Sequence, residues 1–223
     1  MRRLVIIPAK KVSARLKRKN FVLINNKRMF EYTLSNVLNS KLFETIHISS
    51  NIKINKKFQK FLRPNSLCKK NTSLNKVIYW TLQKYKKEGK IFDTVCLAYA
   101  TAPLLEPDDF KKACKKFEKK NNKFPLLSVS KYNPSLDEAM IFDKNCIRPK
   151  NKKKFFQDSK KHREYYFDTG SFIFFHCKFF YKKNFSLIKL NNYFKPFILP
   201  REKSIDINTK DDLNFVKYLI KKK

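Results

Sequence analysis

The chain has 223 residues, of which 52 are lysine or arginine and 18 are aspartate or glutamate, so its formal net charge is +34. Hydrophobic residues make up 42% and aromatic residues 15%, which is enough for a sizeable core and excludes collagen-like and low-aromatic disordered proteins. At this length we expect one domain over residues 1–223.

The positive charge is spread along the chain rather than concentrated in one motif. Lysines occur in nearly every segment, from Lys10 and Lys11 to the three lysines at 221–223. Such a distribution is typical of a solvated basic surface, which attracts anionic substrates and acidic partners. Binding of nucleic acid is therefore the weakest of the functional hypotheses, because it rests on charge alone.

The cysteines and the amino-terminal residues bear on the cellular compartment. The five cysteines include no CxxC pair, which indicates free thiols in a reducing compartment rather than disulfides or a zinc site. The apolar run Leu4–Ile7 is too short for a signal peptide, and no run approaches the length of a membrane span. We therefore expect a cytoplasmic protein with no membrane partner.

Apolar runs typical of buried strands alternate along the chain with segments of helical periodicity. In chain order we predict strand Leu4–Ile7, helix Met29–Leu38, strand Thr45–Ser49, helix Ser73–Tyr85, strand Thr94–Ala100, helix Pro107–Phe117, strands Leu126–Ser130, Phe172–Phe175 and Phe197–Leu199, and a last helix after a capping box of Thr209 and Asp212. The alternation predicts an α/β fold with a mainly parallel central sheet. Residues 133–161 are more irregular and are expected to form an insertion or a dimerisation arm.

The loop after the first predicted strand, Pro8–Asn20, is strongly basic. Its cations are Lys10, Lys11, Arg15, Lys17, Arg18 and Lys19. Ligands of open α/β sheets bind at the carboxyl ends of the strands, so this loop can neutralise a triphosphate during phosphoryl or nucleotidyl transfer. The alternative is a basic surface loop without a ligand. Neither GxGxxG nor a Walker pattern is present, which excludes the ordinary dinucleotide and P-loop sites.

Two further loops follow predicted strands. Tyr99–Pro103 contains small residues that let a ligand approach the backbone, or that simply form a tight turn. Asp206 and Asn208 are two residues apart, which in an extended segment places both side chains on one face, where their oxygens can hold Mg²⁺. The alternative role is helix capping, which falls more naturally to Thr209, Asp211 and Asp212.

These loops and their flanking segments occur in a specific order. They are IIPAKKVSARLKRKN (Ile6–Asn20), FEYTL (Phe30–Leu34), SKLFETIHISSN (Ser40–Asn51), RPNSL (Arg63–Leu67), TSLNKVI (Thr72–Ile78), YATAPLL (Tyr99–Leu105), EYYFDTGSFIF (Glu164–Phe174) and ILPREKSIDINT (Ile198–Thr209). In this order they resemble the CMP-sugar synthetases that activate nonulosonic acids, the acylneuraminate cytidylyltransferase family. The turn YATAP stands where sialic acid enzymes usually have a QPTSP-like turn, which favours the pseudaminic acid branch.

The resemblance implies a Rossmann-like nucleotidyltransferase fold, a homodimer and a reaction. The reaction transfers CMP from CTP to the anomeric hydroxyl of an acidic nine-carbon sugar, with Mg²⁺ and release of pyrophosphate. By resemblance the catalytic residues are Lys10, Lys19 and Asp206, and the metal ligands are Asp206 and Asn208. The implied nucleotide-binding residues are Ala9, Ser13, Arg15, Asn20, Arg63 and Ser73, and the implied sugar-binding residues are Tyr99, Thr101, Asp168, Thr169 and Gly170.

The chain departs from the family pattern at several of these positions. Lys10 replaces an arginine, Lys11-Val12 replaces a glycine pair, Lys70 replaces an acidic residue and Asn208 replaces the second metal carboxylate. The leading hypothesis is an active cytidylyltransferase for a pseudaminic-like acid. The alternative is a homologue that keeps the fold and binds nucleotide or partners without turnover.

Overall fold

The computed structural model describes residues 1–13, 16–120, 122–181 and 193–222. The strands are β1 (Arg3–Pro8), β2 (Leu23–Ile24), β3 (Lys27–Arg28), β4 (Thr45–Ser49), β5 (Thr94–Ala98), β6 (Leu126–Lys131), β7 (Met140–Asp143), β8 (Cys146–Pro149), β9 (Tyr166–His176) and β10 (Lys195–Ile198). The α-helices are α1 (Met29–Ser40), α2 (Leu74–Lys87), α3 (Pro107–Phe117), α4 (Lys152–Phe155) and α5 (Lys210–Lys221).

Six of these strands form one central sheet, in the order β10-β6-β9-β5-β1-β4. β1 pairs in parallel with β4 and β5, and β6 pairs in parallel with β10. β9 runs antiparallel to both of its neighbours, β5 and β6. The predicted α/β class with a mainly parallel sheet is therefore confirmed. One edge of the sheet collects the carboxyl ends of five strands and the amino end of β9.

The predicted elements agree with the structure over most of the chain. The bounds of β4 and α3 are as predicted, and Thr209 and Asp212 form the capping box of α5. The principal difference is β9, which has 11 residues and begins at Tyr166 rather than Phe172. Its first half is polar and contains Gly170, so it has no apolar run that would mark it as a strand.

The core lies on both faces of the sheet, because successive side chains of a strand point to opposite sides. On one face Val5 and Ile7 of β1 belong to a cluster with Phe110 and Phe172. On the other face Leu4 and Ile6 pack in a cluster that includes residues of α2 and of β9. β1 is thus buried on both faces, which explains its uninterrupted apolar sequence.

Residues 133–161 contain the antiparallel hairpin of β7 and β8 and the short helix α4. Phe142 and Ile147 are cross-strand partners in this hairpin and are 88% and 58% exposed. Among the described residues, no helix has the length and apolar character needed to cross a bilayer.

Candidate active site

A cavity of about 890 Å³ opens at the sheet edge that carries the carboxyl ends of the parallel strands. The loops after β1, β4, β5 and β10 and the amino end of β9 all contribute to it. The lining residues are Pro8, Lys10, Ser13, Leu16, Lys19, Asn20, Arg63, Lys70, Thr72, Leu74, Tyr99, Ala100, Thr101, Asp168, Gly170, Asp206 and Asn208. This is the position at which open α/β sheets bind their ligands.

The basic loop after β1 forms one wall of the cavity. Asn20 is buried, and its Nδ2 donates a hydrogen bond to the carbonyl oxygen of Lys10 at 2.9 Å, which ties the two ends of the loop together. Nζ of Lys10 lies 3.4 Å from the carbonyl oxygen of Cys68, in the segment between β4 and α2. Both cationic ends of the loop, Lys10 and Lys19, therefore face the cavity.

Lys19 reaches the segment after β10. Its Nζ lies 3.5 Å from Oδ1 of Asp206 and donates a hydrogen bond to Oδ1 of Asn208 at 3.2 Å. Nδ2 of Asn208 in turn donates to Oδ2 of Asp206 at 2.8 Å. The two side chains thus lie side by side, as their spacing predicts. A cation, a carboxylate and an amide oxygen meet at one point of the cavity wall.

The amino end of β9 brings a second carboxylate to the cavity. The backbone N–H of Gly170 donates to Oδ1 of Asp168 at 2.8 Å. Gly170 has φ +59°, a left-handed conformation that favours glycine, and a Cβ there would lie 3.7 Å from Cγ of Asp206. Burial raises the pKa of Asp168, and the neighbouring charge of Asp206 raises it further, against the Gly170 hydrogen bond that lowers it.

Arg63 and Tyr99 form the more enclosed part of the lining. Arg63 is only 3% exposed, and its guanidinium donates to the carbonyl oxygen of Leu67 through Nε at 3.0 Å. Burial lowers the pKa of Arg63. Burial raises the pKa of the Tyr99 hydroxyl, and the charges of Asp168 and Asp206 add to that increase. Arg63 thus offers a fixed cation, and Tyr99 stays a neutral hydrogen-bonding group at neutral pH.

The segment that carries Asp206 is anchored by an ion-pair cluster. Nζ of Lys203 lies 2.7 Å from Oε2 of Glu106 and 3.0 Å from Oδ2 of Asp109, both at the start of α3. Burial lowers the pKa of Lys203, but the hydrogen bonds to the two carboxylates raise it by more. At the other end of the segment the Asp212 carboxylate accepts from the backbone N–H of Asn208 at 2.8 Å.

Most residues singled out from the sequence line this cavity, but three do not. Ala9 is fully buried behind the loop, and Ser73 is the N-cap residue of α2. Thr169 points into the sheet, where its hydroxyl donates to Oγ of Ser128 at 2.9 Å, because alternation along β9 sends it opposite to its neighbours. Arg15 lies outside the described residues.

The cavity also contains residues that the sequence did not single out. They are Pro8, Leu16, Lys70, Thr72, Leu74 and Ala100, none of which was predicted as a site residue. Thr72 and Leu74 flank Ser73, so this segment lies at the cavity although the Ser73 side chain does not line it. Leu16 is an apolar residue among loop cations and carries no chemical signal of its own.

The two residues that replace the family's glycine pair lie away from the cavity. Lys11 lines a different cavity, and Val12 is 69% exposed without contributing to the active-site lining. Their side chains therefore do not narrow the space available to a phosphate group.

Within the described part of the chain, no three His, Cys, Asp or Glu residues cluster as a metal site. Mg²⁺ bound with a nucleotide needs only one or two protein carboxylates, because phosphate oxygens and waters complete its shell. Asp206 is about half exposed to the cavity. Its Oδ2 accepts from the amide Nδ2 of Asn208, whose Oδ1 accepts from Nζ of Lys19. This donor set fits a magnesium–nucleotide complex rather than an all-protein metal site.

Comparison with known proteins agrees with this geometry. Residues 4–216 match the family model described as Cytidylyltransferase. The chain belongs to the cytidylyltransferase family. It is thereby a CTP-dependent nucleotidyltransferase. The cytidylyltransferase is 31% identical over 233 aligned residues to the pseudaminic acid cytidylyltransferase of Campylobacter jejuni subsp. jejuni serotype O:2, covering 99% of this chain and 97% of that relative.

Solved structures of nucleotidyltransferases share the fold of this cytidylyltransferase. One is a CMP:2-keto-3-deoxy-manno-octonic acid synthetase complexed with CTP, with a TM-score of 0.72, 11% identity, and coverage of 100% of this chain and 99% of that one. Another is a 4-diphosphocytidyl-2C-methyl-D-erythritol synthase, with a TM-score of 0.63, 12% identity, and coverage of 99% and 100%. At these identities the likeness concerns the fold.

Proposed function

We propose that the protein transfers CMP from CTP to the anomeric hydroxyl of an acidic nine-carbon sugar of the pseudaminic acid type. The observation that carries the proposal is that Lys10, Lys19 and Asp206 line the same cavity, where Nζ of Lys19 lies 3.5 Å from Oδ1 of Asp206. In the reaction the sugar hydroxyl oxygen forms a bond to the α-phosphorus. The bond from that phosphorus to the bridging oxygen of pyrophosphate breaks, and the hydroxyl proton passes to water or to a cavity carboxylate.

The lysines of the basic loop supply the electrostatic part of the catalysis. Negative charge shifts towards the β- and γ-phosphates as pyrophosphate leaves, and fixed cations stabilise that charge without reorganisation. Lys19 is mostly buried, with a side-chain exposure of 16%, so its charge is poorly screened by solvent. No covalent nucleophile is required, because in-line transfer needs mainly positioning and charge.

Mg²⁺ is the cofactor that this site would use. Asp206 and Asn208, through their side-chain oxygens, are the residues that would hold it, together with the phosphates of CTP. When bound, the ion would neutralise phosphate charge and make the α-phosphorus more electrophilic. Lys19 already contacts both residues and keeps them oriented towards the cavity.

The sugar class is supported by the relative from Campylobacter jejuni, whose name specifies pseudaminic acid. The cavity has the charge to receive two anions, since Lys10, Lys19, Arg63 and Lys70 all line it. Tyr99 and Asp168 also line the cavity and offer hydrogen-bonding groups to the sugar hydroxyls.

The proposal is tested by pyrophosphate release from CTP and Mg²⁺ with a panel of pseudaminic, legionaminic and sialic acids. We expect release that depends on all three components and is fastest with pseudaminic acid. Absence of release with every acidic sugar would favour the alternative of a homologue that binds nucleotide without turnover. CTP binding by calorimetry, measured in parallel, separates that outcome from a misfolded preparation.

We also propose that the protein is a homodimer joined through the hairpin of β7 and β8. The cross-strand pair Phe142 and Ile147 is largely exposed, and Phe156, at the end of α4 in the same 133–161 region, is 72% exposed. Exposed apolar side chains that lie side by side, as Phe142 and Ile147 do, mark interaction surfaces. Light scattering should give twice the monomer mass, and Phe142→Glu with Ile147→Glu should reduce it to the monomer mass. A monomeric wild type would contradict this proposal.

A further inference from the structure

A second cavity, of about 550 Å³, lies beside the basic loop and is separate from the active site. Its lining consists of Lys11, Arg18, Phe21, Leu23, Arg28, Ile52, Lys53 and Ile54. None of these residues lines the active-site cavity. The proposed reaction does not use this cavity, so its composition needs a separate explanation.

Half of this lining is cationic and none of it is acidic. The four cations come from four places in the chain: the two ends of the basic loop, the residue before α1, and the segment after β4. Within the described ranges, none of the four side chains forms an ion pair with a carboxylate. Like charges that converge without a counter-charge repel one another, and an anionic ligand relieves that repulsion.

The basic loop divides its cations between the two cavities. Lys10 and Lys19 line the active site, whereas their neighbours Lys11 and Arg18 line the second cavity. Arg18 has φ 52°, a left-handed conformation that is unfavourable for an arginine. Holding a residue in such a conformation costs on the order of 1 kcal/mol. At this strained position the chain turns so that Arg18 faces the second cavity and Lys19 faces the active site.

The rest of the lining is apolar. Phe21, Ile52 and Ile54 are half-buried, and Leu23 is 58% exposed. Cavities of a few hundred Å³ that combine apolar side chains with a few charged groups are typical of small-ligand sites. A ligand that satisfies both parts of this lining carries several negative charges and a flat apolar group.

We propose that this second cavity binds a purine nucleoside triphosphate such as ATP in preference to CTP, with its phosphates on the four cations and its larger, two-ring base on the four apolar side chains. The site is additional to the CTP site of the proposed reaction and does not depend on which sugar acid is the acceptor. Because the same loop forms a wall of both cavities, a nucleotide bound here is placed to alter the position of Lys10 and Lys19.

The test is titration calorimetry with ATP in about 0.15 M salt, on protein already saturated with CTP and without a sugar acid, so that turnover plays no part. We expect one ATP per chain to bind to the CTP-saturated wild type. Arg28→Gln with Lys53→Gln should weaken ATP binding about tenfold or more while leaving CTP binding at the active site unchanged. Both residues lie outside the active-site cavity.

Arg28→Gln with Lys53→Gln should fold normally, because neither substitution removes a backbone hydrogen bond. The N-cap hydrogen bond of α1 is made by the backbone N–H of Arg28 to Glu31 at 2.6 Å, and it survives a side-chain substitution. Lys53→Gln alone, at an exposed position, is a milder variant that should weaken ATP binding to a smaller extent. Lys112→Gln with Lys115→Gln on α3 removes the same charge from another exposed surface and should leave ATP binding unchanged.

Three results would overturn the proposal. The first is no ATP binding to CTP-saturated protein, and the second is an equal loss of binding in the Lys112 and Lys115 control. The third is binding of tripolyphosphate as tight as that of ATP, since the apolar side chains would then contribute nothing. Failure of the sugar-transfer assay would leave all three measurements interpretable, because none of them uses a sugar acid.

Discussion

Nζ of Lys19 lies 3.5 Å from Oδ1 of Asp206, and this ion pair joins the loop after β1 to the segment after β10. The two residues are 187 positions apart in the chain (206 − 19) and meet because β1 and β10 end at the same edge of the sheet. The pair places the cation proposed to bind phosphate beside the carboxylate proposed to hold Mg²⁺.

Lys19→Met should lower kcat for pyrophosphate release by about 100-fold or more, because it removes a poorly screened charge from the departing phosphates. The fall should appear mainly in kcat, since Lys10 and Arg63 remain to bind CTP. Steady-state kinetics with CTP as the varied substrate measures the changes in kcat and in KM separately. Lys17→Met, at an exposed loop position outside the cavity lining, is the matched control. Equal activity of the two variants would remove Lys19 from the catalytic machinery.

Asn208→Asp should lower the Mg²⁺ concentration needed for half-maximal activity by several-fold, because a second carboxylate adds charge to the donor set. Oδ1 of Asn208 already lies in the cavity, 3.2 Å from Nζ of Lys19, so the change requires little rearrangement. A Mg²⁺ titration of pyrophosphate release is the measurement. An inactive wild type that becomes active only as Asn208→Asp would support the hypothesis of a binding protein without turnover.

Lys203→Met should destabilise the protein by about 2 kcal/mol, because it leaves the buried Asp109 carboxylate without its cation. Lys111→Met breaks the exposed pair with Asp108, whose side chains are 50% and 64% exposed, and should cost about 0.5 kcal/mol or less. Urea unfolding gives both values. Similar losses for the two variants would mean that burial does not distinguish these pairs.

Stability should fall as the pH decreases below about 6.5 because of His47. Burial lowers the pKa of His47 to about 4, so below its ordinary pKa the unfolded chain takes up a proton that the folded chain refuses. Between about pH 7 and about pH 5 this difference amounts to roughly 2 kcal/mol. As the pH falls from about 7 to about 5, the unfolding free energy of the wild type should decrease by that amount relative to the unfolding free energy of His47→Leu. Parallel pH profiles would contradict the assignment.

The place of the site in the fold could be predicted from the sequence. Apolar runs located β1, β4 and β5, and the edge at which they end follows from parallel pairing. The spacing of Asp206 and Asn208 correctly indicated that their side chains lie together.

Other features depend on tertiary contacts that leave no local pattern. The antiparallel direction of β9 brings Asp168 to the cavity, and the alternation of side chains along the strand turns Thr169 away from it. The polar residues around Gly170 gave no apolar run that would mark a strand. The sequence also could not predict which loop cation lines which cavity. Lys10 and Lys11 are chemically the same, and only the path of the backbone directs them to different cavities.

The most direct test of the central claim is mass spectrometry of the product formed from CTP, Mg²⁺ and pseudaminic acid, with Asp206→Asn beside the wild type. The account predicts CMP-linked pseudaminic acid and one pyrophosphate per product from the wild type, with formation at least about 100-fold slower in the variant. Formation of no CMP-sugar by a folded, CTP-binding wild type, or undiminished formation by Asp206→Asn, would contradict it.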